Sequence, residues 1–258
     1  MNREDRHARD LARLEAAQRH TRERMAREQE RIDQRFEKMR EKLSQKYGES
    51  TTDHQQRIIE AALELLKEDG LNNLSLRRLA RSLHMQAPAL YWHFKSKEEL
   101  VDYMAEAILA REFKELVPRK DDESWQDWLA NHMMRLRRAM LAYPDGGRVV
   151  AGAHLSPAIT LARSLEAGLI SLSSAGFDLK TARQIMVTAT TYTFGCVIEE
   201  QAGPTPEQLA AIDLQAFLEP YPHIAEALDG DLRHPESQSK YFLQGLEYII
   251  RGAGSPGA

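Results

Sequence analysis

Residues 74–100 read LSLRRLARSLHMQAPALYWHFKSKEEL. Between Ser75 and Lys97 stand three arginines and two lysines and no aspartate or glutamate, although the 258-residue chain carries a formal net charge of -4. Guanidinium and ammonium groups gathered without counter-charges attract phosphates and make a nucleic-acid footprint. The same stretch offers groups that read base edges. Gln86 can pair bidentately with an adenine, and Ala87 and Ala89 can make only apolar contacts, for instance with a thymine methyl. Catalytic signatures are absent: the chain has no G-x-S-x-G, no H-E-x-x-H, no P-loop and no cysteine pair. The glycines between Gly146 and Gly152 follow no predicted strand and make no dinucleotide fingerprint. The chemistry is DNA recognition, and an enzyme is not expected.

These groups need elements to carry them. Ser75 can cap a short helix that turns Leu76, Leu79, Ala80 and Leu83 inward and Arg77, Arg78 and Arg81 outward. His84 and Met85 make a turn. A second short helix covers residues 86–94, with Pro88 tolerated in its first turn. It ends on Tyr91, Trp92, His93 and Phe94, and this is helix-turn-helix punctuation. Core packing is expected for Trp92 and Phe94, and the cluster can still reach a DNA backbone.

Upstream, Gly48 to Thr52 breaks the chain, and Thr52 or Asp53 caps a helix running to Asp69 with Gly70 as its stop. Ile58, Ala62 and Leu65 are its buried stripe. Downstream, Ser96 and Glu99 form a capping box for a helix ending near Pro118. Ser124 and Asp127 open a helix to about Tyr143, and residues 144–147 form a turn. Ser156 and Pro157 start a helix that Gly176 ends, and Asp178 caps one that reaches Gln201. Thr205, Pro206, Glu207 and Gln208 form another capping box. Residues 229–239 read as polar loop, 240–251 as a last helix and 253–258 as a flexible tail. β-branched alternation is scarce. The expectation is an all-α fold of roughly ten helices. It comprises a three-helix helix-turn-helix DNA-binding domain at 52–97 and a larger helical domain at 98–252, preceded by a long charged helix at 1–47.

Residues 1–47 contain no Gly or Pro and are rich in Arg, Glu, Ala, Gln and Lys. A helix of that length extends about 70 Å at 1.5 Å per residue. Met25, Ile32, Phe36, Met39 and Leu43 follow a short coiled-coil spacing. Three readings compete: contact with DNA, pairing with another helix to give a higher-order assembly, or a solvated, salt-bridged helix. The first 50 residues carry a net +3 and the remainder -7.

With 42% hydrophobic residues the chain can bury a core, and no apolar run approaches a membrane span. Cys196 is the lone cysteine, which excludes an intrachain disulfide, fits a reducing cytoplasm and reads as a small buried hydrophobe.

The run ALYWHFKSKEEL, preceded by EAALELLKEDG and LSLRRLARSLHM, resembles the DNA-binding domain of the tetracycline repressor family. ESWQDWLANHMMRLRRAMLAYPDGGRV and TFGCVIEEQ extend the resemblance into the regulatory domain, so that it spans roughly residues 52–252 and leaves the first fifty unmatched. It implies a cytoplasmic, ligand-released repressor that binds a palindromic double-stranded operator. It also implies a homodimer formed through the 178–201 and 240–251 helices. Arg77 matches a base-contacting arginine, and Lys97, Tyr91 and His93 match backbone-contacting positions. The recognition helix carries Gln86, Ala87, Pro88 and Ala89, where family members often have polar residues, so a different operator is expected.

In the regulatory domain the metal-ligating histidine falls on Val150, a pocket asparagine on His132 and a pocket histidine on Phe113. Glu199 matches the acid that supports the metal's water. Valine ligates no metal, so neither metal nor cofactor is expected. The expected inducer pocket is lined by Phe113, Trp128, His132, Leu136, Val150, His154 and Met186. The inducer itself is not legible. The rival readings are a helical interaction or scaffold protein that uses residues 1–47 and keeps a non-reading helix-turn-helix, and a ligand-blind architectural DNA binder.

Overall fold

The computed structural model describes residues 49–120, 122–154, 158–228 and 235–256, with the single helical, exposed positions Arg27, Glu30, Arg31, Gln34 and Lys38. The rest of the expected N-terminal helix, its apolar seam and Gly48 lie outside the described residues. Among the described residues every element is a helix. Helix α1 is Glu49–Asn73, α2 is Leu76–Ser82, α3 is Ala87–His93 and α4 is Lys97–Glu112. The larger body follows with α5 at Trp125–Leu141, α6 at Gly146–Ala151, α7 at Ile159–Ser174 and α8 at Leu179–Ala202. Three short helices, α9 at Pro206–Ala211, α10 at Leu214–Leu218 and α11 at Pro222–Leu228, precede α12 at Pro235–Gly252.

The N-terminal unit closes over a small core. Ile58, Ala62 and Leu66 of α1 meet Leu79 of α2, Leu90 of α3, Phe94, and Leu100 and Met104 of α4, all buried. Ser75 caps α2 by accepting from Arg78 N (3.3 Å), and Ser96 caps α4 by accepting from Glu99 N (3.1 Å). Glu99 reaches back to Lys95 N (2.6 Å), which settles a second free donor at the helix start. Gly70, at φ 73 and ψ 171, breaks α1 where the sequence places its stop. The long α4 passes from this core into the next. There α7 packs along α8, α5 lies against α4 and α8, α6 touches α4, α5 and α8, and α12 covers α8.

Several boundaries differ from the expectation. Backbone at Thr52 and Asp53 is already helical, so neither is a cap; the described part of α1 starts at Glu49. Helix α4 stops at Glu112 because Phe113 leaves the helical path (φ -105, ψ 33) to enter the core. Gly146 and Gly147 belong to α6 and not to a turn. A Cβ on Gly146 would strike the Met140 carbonyl, and one on Gly147 would press on Val197 and Ile198. Side-chain-free positions therefore let this helix seat.

Ser156 and Pro157 lie outside the described residues. Helix α7 begins at Ile159, and its start is satisfied from afar: Glu106 of α4 accepts from Thr160 N and Thr160 Oγ1, both at 2.8 Å. Residues 235–239, expected as loop, form the first turn of α12, with Pro235 at its start. The tail is placed at least to Pro256, which lies against Gly176. Cys196 is half-buried.

Candidate functional site

The basic segment folds as a contiguous surface. Arg77 and Arg81 on α2 are exposed and line, with Leu65, Ser75, Arg78 and Ser82, an open groove of about 490 Å³. Arg78 is paired with Asp69 of α1, so part of its charge is spent on holding α2 to α1. On α3, Gln86 and Pro88 are exposed, Ala87 and Ala89 half-buried, and Leu90 faces the core. Tyr91 is 55% exposed and Phe94 fully buried. Trp92 corrects the sequence reading: it is 90% exposed and takes no part in the core. The reason is helical phase. Leu90 and Phe94 are four residues apart and share the inward face, whereas Trp92 lies midway and must point outward. A flat indole at the end of the recognition helix adds a group that can lie on sugar and base edges.

His93 is half-buried and stacks on His54 of α1, ring centroids 6.2 Å apart and 8° from parallel. Burial, then the charge of His54, lowers its pKa below the ordinary imidazole value. Lys97 is occupied: its Nζ donates to Leu71 O at 3.0 Å. An ammonium held on a backbone carbonyl is a tether between α4 and the end of α1, and it reaches a phosphate only by giving that bond up.

In the larger body the expected pocket residues divide. Phe113, Trp128, His132, Leu136, Val150 and Met186 are all buried. Three of them form a cluster: His132 stacks on Trp128 (4.8 Å, 21°) and sits 5.2 Å from the Phe113 ring. Its Nε2 shares a hydrogen bond with Ser164 Oγ of α7 at 2.6 Å. Ser164 escaped the sequence reading, since a serine in an apolar helix face carries no signal until its partner is known. Met186 of α8 fills the space over Gly168 of α7. His154 and Glu199 are not brought to this cluster. His154 is 76% exposed, and Glu199 is exposed on α8. The acid that turns inward is its neighbour Glu200, which binds the buried Arg137 through two oxygens at 3.0 and 2.7 Å.

Burial, with a smaller push from Arg135, lowers the His132 pKa to about 3. The imidazole is therefore neutral in the folded protein wherever the unfolded chain would begin to protonate it. Between about pH 6.5 and pH 3 the unfolded state binds the extra proton, so stability falls as the pH falls through that window. Acid unfolding followed by circular dichroism should show this, with up to about 1.4 kcal/mol lost per pH unit. His132→Gln should flatten that part of the curve; an unchanged slope would mean that other groups set it.

His154 belongs instead to a joint between the two bodies. Its backbone N and its Nδ1 both meet the buried Asp102 of α4, at 2.9 and 3.1 Å. At the opposite end of α6, Asp145 adopts a left-handed conformation (φ 56) and does not cap its own helix. Its carboxylate crosses to accept from Leu71 N at 2.8 Å, while Arg148 bridges Asp145 and Asn72. The Leu71 peptide is thus gripped from both sides, by Lys97 on its carbonyl and by Asp145 on its N–H. A cavity of about 280 Å³ opens here, lined by residues that include Lys97, Asp102, Arg148 and His154.

The residues at the metal position do not fit a metal. Val150 is fully buried and apolar, and Glu199 faces away from it to the surface. Among the described residues no group of three or more His, Cys, Asp or Glu could hold an ion. No described helix is long and apolar enough to cross a membrane.

Comparison with known proteins gives one direction. Residues 58–104 match the family described as bacterial regulatory proteins, tetR family, and residues 117–254 match the tetracyclin repressor-like C-terminal domain. The tetracycline repressor protein class A from transposon 1721 of Escherichia coli is 39% identical over 198 residues, which is 76% of this chain and 88% of that one. A possible TetR family transcriptional regulator from Streptomyces coelicolor A3(2) superposes with a TM-score of 0.68 at 32% identity, covering 77% of this chain and 97% of that one. TetR (class A) in complex with 5a,6-anhydrotetracycline and magnesium gives a TM-score of 0.55 at 32% identity, over 76% and 95% of the two chains. Neither family match reaches residues 1–57. With both of its helical units matched in order, this chain belongs to the tetracycline repressor family of bacterial regulators.

Proposed function

We propose that this protein is a transcriptional repressor of the cytoplasm that binds a palindromic operator as a homodimer and is released by a small-molecule inducer. We read 52–97 as the DNA-binding domain and 98–252 as the ligand-binding and dimerisation domain. The observation that carries the reading is the acid-free face of α2 and α3, where Arg77, Arg81, Gln86, Tyr91 and Trp92 all stand exposed. Two such faces, one per protomer, suit successive major grooves. Exposed Leu179 and Val187 on α8 and Tyr248 on α12 supply the apolar surface for pairing. The relatives are named as repressors and regulators, which supports a regulator and not an enzyme.

Duplexes selected from a random pool by the full chain provide the test, in gel-shift titrations at several salt concentrations. Arg77→Ala should weaken binding by about 1–3 kcal/mol and relax base discrimination. No sequence-selective binding by the wild type would sink the repressor reading in favour of the scaffold. In the same titrations a chain beginning at Gly48 reports on the N-terminal segment, which we read as pairing through its Met25 to Leu43 seam. Light scattering should then show a smaller assembly with operator affinity retained per dimer. An unchanged assembly with weaker, less salt-dependent binding would assign the segment to DNA instead.

The inducer site is proposed at the Phe113, Trp128 and His132 cluster, with Leu136, Val150 and Met186 behind it. Because Val150 replaces a ligating side chain, tetracycline with magnesium should not bind tightly. Calorimetry with and without magnesium checks this, and tight magnesium-dependent heat would refute it.

A further inference from the structure

His93 is expected to meet a backbone phosphate, but His54, the ring stacked on it, has no part in that expectation. The two rings come from different helices, α1 and α3, and lie nearly parallel on the molecular surface. His54 is exposed, and His93 is the last residue of the recognition helix, next to exposed Tyr91 and Trp92. Core packing does not require them. The residues from Ser75 to Lys97 include no carboxylate that would neutralise an imidazolium here. Of the neighbouring basic groups, Lys97 is turned onto the Leu71 carbonyl, and Lys95 and Arg57 are exposed. The electrostatic push on His93 comes from His54.

We propose that His54 is a positioning residue for operator binding: its ring holds the His93 imidazole at the end of α3, where a DNA backbone phosphate takes it up as the imidazolium. The inference rests on the DNA-binding reading above. Its consequence is a proton linkage. Burial and then His54 disfavour the charged form of His93 in the free protein, whereas an adjacent phosphate favours the charged ring. Binding therefore draws a proton from solvent at each protomer. Operator affinity is highest at low pH and falls as the pH rises through the interval between the free and the bound pKa, by at most about tenfold per pH unit per protomer.

The experiment uses the full chain, the duplex it selects from a random pool, and fluorescence anisotropy from pH 6 to 8.5 at fixed ionic strength. The wild type should lose affinity across this range, and His93→Phe should show a flat profile. His54→Ala, at an exposed position, should bind about three- to tenfold more weakly because the ring loses its support. His54→Phe should restore the affinity, since a flat ring still stacks. It should also move the fall in affinity to higher pH, because the electrostatic push of His54 on His93 is gone. A wild-type profile that is flat, or His54→Ala and His54→Phe profiles that coincide, would overturn the proposal. If the wild type binds DNA selectively and only these pH effects are missing, the inference alone fails. If it selects no duplex at any pH, the DNA-binding reading fails and takes the inference with it.

Discussion

Glu200→Ala is expected to cost about 3 kcal/mol of stability, the lower end of the range for breaking a buried ion pair. Arg137 has only 7% of its side chain exposed and Glu200 23%, and both carboxylate oxygens bind the one guanidinium nitrogen. The Arg137 ring neighbour, Phe242 of α12, lies 5.6 Å from the guanidinium centre, so the pair ties α5, α8 and α12 together. Removing the acid leaves a guanidinium in an apolar seam with little water to replace its partner. Its Nε is already buried without an acceptor in the protein. For a chain of this size the loss should appear as a fall in Tm of about 10 °C.

Removing both partners should behave differently. Arg137→Met with Glu200→Met substitutes apolar volume for two charges, and desolvation of both disappears along with their attraction. The double variant should therefore recover most of the loss. If instead it is as unstable as Glu200→Ala, the pair contributes through specific geometry and not by avoiding an orphaned charge. Thermal unfolding of the wild type and the two variants decides between these outcomes.

Glu200 also shows where sequence reading stops. The resemblance singles out Glu199, and composition cannot distinguish two adjacent glutamates. A helix separates their directions by about 100°, and the packing of α8 on α5 decides which one turns inward. Elsewhere local chemistry was enough. Ser75, Ser96, Ser124 and Asp178 each accept the N–H that a cap should accept. Thr205 and Gln208 exchange hydrogen bonds as a reciprocal box. These signals lie within four residues and need no tertiary partner, and the same holds for the φ 73 break at Gly70.

The start of α7 was not legible, because its cap is Glu106, 54 residues away. Helix α6 was missed for a related reason. Two glycines after a Pro-Asp pair read as a turn, and only close approach to Met140, Val197 and Ile198 makes them helical. Trp92 was misjudged because aromatic residues usually bury; its phase between Leu90 and Phe94 was the available signal, and it outweighs residue type. The basic face was legible because it is a property of composition. The His132 and Ser164 bond, which joins α5 to α7, was not.

The joint at Leu71 supports the second large effect. Asp145→Ala should uncouple the two bodies, whereas Asp145→Asn should largely preserve them. The carboxylate performs two tasks: it accepts from Leu71 N and it holds Arg148, which in turn reaches Asn72. Alanine abolishes both and places a Cβ residue without a polar group at φ 56, a conformation that Asp and Asn tolerate better than Ala. A half-buried N–H left without an acceptor costs about 1–3 kcal/mol. Asparagine keeps the backbone conformation and an oxygen for Leu71, and it gives up only the charge facing Arg148.

Hydrogen exchange reads this directly. The Leu71 amide should exchange about tenfold to a hundredfold faster in Asp145→Ala, since each 1.4 kcal/mol is a factor of ten. In Asp145→Asn it should stay close to wild type. Operator affinity should follow the same order. A DNA-binding unit that has lost this tie, and keeps Lys67 over the Tyr143 ring and the apolar face of α4, samples more orientations, and a dimer binds best when both recognition helices stay at the spacing of their half-sites. Equal Leu71 exchange in all three proteins would show that the peptide is protected by α1 itself. The tie from α6 would then have no part in setting the position of the DNA-binding unit.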